Sequence, residues 1–127
     1  MTYETGKIDK GWGFEIAFAN NSDYSGKLLV FEQAGAKTSM LFHKKRRKTW
    51  FVNAGKFKLR YIDSQTGQMH ESILEEGGTA TLAELSPHQL EALAPNSIIF
   101  EVGTGDEGNT DRFRLAPGDT QTKQSAQ

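Results

Sequence analysis

The 127-residue chain has no cysteine and only three prolines. No apolar run approaches the ~20 residues a helix needs to cross a bilayer. The missing thiols exclude disulfides and thiolate metal ligands. The opening M-T-Y-E-T-G-K-I-D-K has no apolar signal core, so a cytoplasmic protein with no membrane partner is expected. There is no glycine-rich phosphate loop, nucleophile elbow or internal repeat.

One sign of charge is missing from each of two long segments. From Lys37 to Ile62 there are nine lysines and arginines and no acid; from Asp63 to Asp111 there are ten acids and no lysine or arginine. The net charge of -1 hides this segregation. Two explanations compete: strands that pair charges across a sheet, or a polarised surface that steers an anionic ligand or docks a second copy. Cross-strand pairing is expected for most of these charges.

What the sequence does contain is short strands. Trp12, Phe14, Ile16 and Phe18 alternate with Gly13, Glu15, Ala17 and Ala19, a period of two that predicts a strand with one well-buried apolar face. Further strands are expected at 27–32, 38–43, 48–52, 56–62, 69–74, 79–82 and 97–102, with a short segment opened by Pro87. Asn53-Ala54-Gly55 is a hairpin signal. Phe57, Leu59 and Tyr61 share one strand face, and Lys56, Lys58 and Arg60 the other. Residues 82–93 have leucines at near-helical spacing, but Pro87 in the middle opposes a helix. About nine strands with closely spaced turns predict an all-β sandwich or barrel. The expected organisation is an N-terminal arm at 1–9, one barrel domain at 10–115 and a mobile tail at 116–127.

The most chemically marked stretch is S-M-L-F-H-K-K-R-R-K-T-W at 39–50. A basic run such as K-K-R-R-K is most often a solvated loop or a guarded edge. It could also collect phosphate at a barrel mouth. A nucleic-acid partner is not expected, given a sequence pI near 6.3 and the acidic segment that follows.

The order of segments resembles the two-motif pattern of the cupin superfamily. A glycine-alanine turn precedes a strand ending in His43; a charged loop, a W-F-V strand and a glycine hairpin follow, and later comes Pro87-His88. K-G-W-G-F-E at 10–15, S-P-H-Q-L-E-A-L at 86–93 and I-I-F-E-V-G-T at 98–104 are similar to the type II mannose-6-phosphate isomerase group of cupins. The resemblance covers roughly residues 10–118. It implies a single cupin jelly-roll β-barrel, a sugar-phosphate isomerase activity and one divalent metal such as zinc, manganese, iron or nickel. Cupins commonly pair through outer strands, so a homodimer is also implied.

Matched position by position, the family's metal ligands fall on Leu41, His43, Lys48 and His88. Leucine has no lone pair, and an ammonium repels a divalent cation in a low-dielectric pocket. Only His43 and His88 remain as ligands if any metal binds, so no metal cofactor is expected. Ala83 and Leu85 stand where the family has proline and glycine. The candidate catalytic residues are His43, His88 and Lys48: an imidazole as base and the ammonium as electrophile. The candidate pocket residues are Ser39, Leu41, Trp50, Arg60, Glu91 and Glu101. His70, beside a turn, is expected at the surface. Three functions are open: binding of a sugar, sugar phosphate or small anion in the barrel without metal; an active isomerase with an unusual metal site; or a dimeric scaffold with a vestigial pocket.

Overall fold

The computed structural model describes residues 6–118, which fold into two antiparallel sheets with no α-helix. The six-stranded sheet runs β1 (Lys7–Lys10), β2 (Gly13–Asn20), β3 (Ser25–Phe31), β10 (Ser97–Gly103), β5 (Lys48–Ala54), β8 (Thr79–Leu82). The five-stranded sheet runs β11 (Phe113–Ala116), β4 (Met40–Phe42), β9 (His88–Ala92), β6 (Lys56–Ile62), β7 (Met69–Glu75). A 3-10 turn, Gly108–Asp111, precedes β11. This is the expected all-β architecture, with two antiparallel sheets packed face to face. Among the described residues no helix is long and apolar enough to cross a membrane.

Alternation along the strands fills the space between the sheets. Phe31, Val52, Phe57, Leu90 and Ile99 are fully buried, and each such side chain contributes roughly 1.5–3 kcal/mol relative to exposure. Trp12 stacks on Phe31 with ring centroids 4.4 Å apart, and Phe57 meets the same ring edge-on at 5.1 Å. On β6 the apolar set Phe57 and Leu59 faces in, while Lys56, Lys58 and Arg60 face out. The outward set pairs with acids of β7 and β9: Lys56 with Glu75, Lys58 with Glu71, and Arg60 with Glu71 and Glu91. Much of the segregated charge therefore closes on itself across strands.

The structure corrects one expectation and adds two features. The apolar face of β2 is not the buried one. Gly13, at φ +149°, sits so close to Val30 that an added Cβ would lie 2.0 Å from its carbonyl oxygen. There the parity breaks: Trp12 swings into the core, Glu15 becomes the buried residue of the strand, and Phe18 is left 57% exposed. Second, residues 7–10 pair with β2 from Lys7↔Ile16 to Lys10↔Gly13. Third, β11 adds a strand that period alone did not reveal, and it carries the sheet to Ala116. The expected tail beyond residue 118 lies outside the described residues. Leu85, where the resembling family has glycine, keeps a left-handed backbone at φ +63°. Its amide donates to the His43 carbonyl at 2.6 Å.

Candidate functional site

Strand parity builds the site. On β5, Lys48 and Trp50 point between the sheets while Phe51 points out. On β10, Glu101 and Ile99 point in. Leu41 of β4 pairs in register with His88 of β9, so both face the same interior. These residues surround a cavity of about 90 Å³. Six cations line it (Lys10, Lys27, Arg46, Lys48, Arg112 and Arg114) against two carboxylates, Glu15 and Glu101.

Glu101 is the hub. Its Oε1 accepts from Trp50 Nε1 at 2.8 Å and lies 3.6 Å from Lys48 Nζ. Its Oε2 accepts from the Arg46 guanidinium at 2.8 Å. Arg46 also donates to Ser25 Oγ at 2.9 Å. Lys27 is paired with Asp106 and lies 3.7 Å from Glu15. Burial alone would raise the Glu101 pKa, but Lys48, Arg46 and Lys27 override it and hold the carboxyl well below the ordinary range. Burial, opposed by Glu101 and reinforced by Arg46 and Lys27, lowers Lys48 from 10.5 to about 8.

Both histidines are fixed by backbone carbonyls. His43 Nδ1 lies 2.7 Å from the Asp111 carbonyl oxygen, and His88 Nδ1 lies 2.8 Å from that of Ser86. A carbonyl oxygen only accepts, so each Nδ1 carries the proton and each Nε2 presents a lone pair. His43 Nε2 lies 3.4 Å from Lys48 Nζ, which donates to it. Burial and then the Lys48 charge push His43 from 6.5 to about 4 and hold His88 well below its ordinary value. At neutral pH the site is therefore an ammonium, a guanidinium, a carboxylate and two neutral imidazoles.

Three buried side-chain atoms among the described residues have no hydrogen-bond partner: Ser39 Oγ, Arg46 Nε and His88 Nε2. All three residues line this cavity. Leaving a buried polar group unsatisfied costs about 1–3 kcal/mol, and here three such groups belong to residues that line one cavity.

The donor set does not fit a divalent metal. Leu41 offers no lone pair, Lys48 holds its ammonium against His43 Nε2, and two imidazoles fall short of the three protein ligands of catalytic zinc. Among the described residues no three His, Asp or Glu side chains cluster as ligands.

Of the residues expected in the site, Ser39, Leu41, His43, Lys48, Trp50, His88 and Glu101 are brought together. Arg60 and Glu91 are not. They lie on the outward faces of β6 and β9 and bond each other at 2.8 Å, because both have the parity opposite to the inward Leu59 and Leu90. His70 is half-buried and stacks on Tyr61. The basic run is also more divided than expected. Lys44, Lys45 and Arg47 are exposed, but Arg46 and Lys48 are buried. The Asp111 carboxylate accepts from the backbone N–H groups of Lys44, Lys45 and Arg46 and turns the loop so that Arg46 enters the barrel. Arg46, Glu15, Lys27 and the β11-side arginines were missed. Parity with Leu29 and Phe31 could have found Lys27; a single loop position gave no signal for Arg46.

No protein-family model and no curated protein matches this sequence. Solved structures do match its shape. CapF with the inhibitor 3-isopropenyl-tropolone superposes with a TM-score of 0.78 at 13% identity, covering 91% of this chain and 35% of that one. Oxalate decarboxylase from Bacillus subtilis gives 0.76 at 18% identity, covering 88% and 30%. The Lactobacillus farciminis oxalate decarboxylase formate complex gives 0.76 at 19%, covering 88% and 34%. The chain thus has the cupin jelly-roll fold and spans about a third of the length of these solved chains. At such identities the likeness concerns fold alone.

Proposed function

We propose that this protein binds a small anion inside its barrel without a tightly held divalent metal. The observation that carries the reading is that Ser39, Arg46 and His88, each with an unpartnered buried atom, all line one cavity with six cations and two carboxylates. An anion there makes charge-assisted hydrogen bonds, which are roughly twice as strong as neutral ones. The Lys48 ammonium supplies positive charge at the position of a ligand carboxylate in the metal-binding pattern.

Size selects among anions. A cavity of about 150 Å³ holds benzene, and this one is about 90 Å³. A short carboxylate fits; a hexose phosphate must leave much of its bulk at the mouth, beside the more exposed Lys10, Arg112 and Arg114. The sugar-phosphate isomerase reading is therefore the less favoured alternative. Two structural neighbours are oxalate decarboxylases, one in complex with formate, and ligands of that size suit the space. A thermal-shift series on chelator-treated protein with oxalate, pyruvate, inorganic phosphate and mannose 6-phosphate tests the proposal. Stabilisation by the short anions supports it; stabilisation by mannose 6-phosphate alone favours the isomerase reading.

A second reading rests on a different surface. The outer face of the six-stranded sheet exposes Phe18, Phe51, Phe100 and Val102, each by 39–57%. Register puts Phe100 beside Phe51 and Val102 beside Gly26, over which the Phe18 ring lies. A contiguous exposed apolar patch can be an interaction surface; because the resemblance to cupins implies pairing through outer strands, we propose a second copy of this chain as its occupant.

A further inference from the structure

We propose that Lys48 captures a short 2-oxo acid as a covalent imine. This rests on the anion-binding reading and adds a reaction to it.

The geometry supplies each part. Lys48 Nζ is an amine on the wall of a cavity that takes a ligand of pyruvate or glyoxylate size, with the side chain only 8% exposed. His43 Nε2, its lone pair fixed by the Nδ1 bond to the Asp111 carbonyl, stands 3.4 Å away and accepts a hydrogen bond from Nζ–H, which orients the nitrogen. Arg46, which lines the same cavity and has an unpartnered Nε–H, is the group for the carboxylate. His88 Nε2 is a buried acceptor without a donor. A hydroxyl on the ligand would complete it.

The chemistry balances without an outside oxidant or reductant. Lys48, which burial lowers to about 8, gives one proton to solvent, and the nitrogen lone pair forms a C–N bond to the carbonyl carbon. The carbonyl oxygen takes up a proton from solvent and becomes a carbinolamine hydroxyl, the donor that His88 Nε2 lacks. That hydroxyl leaves as water with one of the nitrogen's two protons, the C–O bond breaks, and a protonated imine remains. One ammonium and one 2-oxo carboxylate become one iminium carboxylate and one water. The product keeps the positive charge beside Glu101, so the buried ion pair survives the reaction. Substrates with a carbonyl but no adjacent carboxylate lack the group that Arg46 would hold.

The test is reductive trapping. The full chain is incubated with pyruvate and sodium cyanoborohydride, and the modified lysines are mapped by peptide mass spectrometry. The expected result is one adduct at Lys48, formed on the order of a hundredfold faster than at exposed Lys44 or Lys45, the scale of the larger free-amine fraction of a lysine lowered from 10.5 to about 8. Oxamate, a carboxylate of the same shape whose amide carbonyl does not form imines, should block the adduct. Lys48→Arg should abolish it, and mapping on the unaltered chain keeps the test valid if that variant folds poorly. Adducts spread over surface lysines with no preference for Lys48 overturn the proposal. If oxamate raises the melting temperature while pyruvate is not trapped, the imine fails and anion binding stands. If neither binds, both fail.

Discussion

Lys48 Nζ and His43 Nε2 lie 3.4 Å apart, although a five-residue loop step separates them in sequence. The contact exists because His43 leaves β4 and Lys48 enters β5 pointing into the same space, with Asp111 clamping the loop between them. It puts a cation against a bare imidazole lone pair, in a cavity that also holds an unpartnered imidazole. That pairing underlies both the anion-binding reading and the amine chemistry.

Glu101 holds the cationic cluster together. Glu101→Gln keeps the shape and removes the charge that Arg46 and Lys48 share. Breaking one side of a buried ion pair costs about 3–5 kcal/mol. Denaturant unfolding should show a loss of that order, partly restored by a small anion at saturating concentration.

Stability should depend on pH in two windows. His43 and His88 are lowered in the folded state, so the unfolded chain binds more protons below their ordinary value. Stability contributed by their neutral forms is complete above pH 6.5 and is lost as pH falls towards about 4. With one pKa unit worth about 1.4 kcal/mol, the loss is on the order of a few kcal/mol. Lys48 is lowered as well, to about 8, so its contribution improves as pH rises from about 8 towards 10.5. Unfolding free energies measured from pH 4 to 10 should show both slopes, and His43→Asn should flatten the acidic one.

Asp111 shapes the site from outside the cavity. Its carboxylate accepts from three consecutive backbone N–H groups, and its carbonyl fixes the His43 ring. Asp111→Ala should cost about 1–3 kcal/mol and weaken anion binding, because Arg46 loses its entry turn. Calorimetric titration alongside the unfolding curve separates the two effects.

The outer sheet face should govern self-association. A charge placed at its centre, as in Phe100→Asp, should give a monomer in sedimentation velocity at concentrations where the unaltered chain is a dimer. Because Phe100 points away from the cavity, anion binding should be retained. A monomeric unaltered chain would remove the second-copy reading.

Period-two patterning made most strands legible, and Pro87 correctly opposed a helix at 82–93. The resemblance to the cupin motifs pointed to His43, Lys48 and His88, and all three line one cavity. Other features depend on tertiary context. Gly13 reverses the face of β2, which no alternation count can register. Arg46 is buried because Asp111, sixty-five positions later, turns its loop. Arg60 and Glu91 looked like pocket residues by charge, but their parity placed them outside.

The most direct measurement is calorimetric titration of chelator-treated protein, verified free of divalent metal, with oxalate and pyruvate. The account predicts one site per chain, affinity that falls as salt rises, and loss of binding in Lys48→Met. No binding by the metal-free protein, with binding restored by a divalent cation, would contradict it.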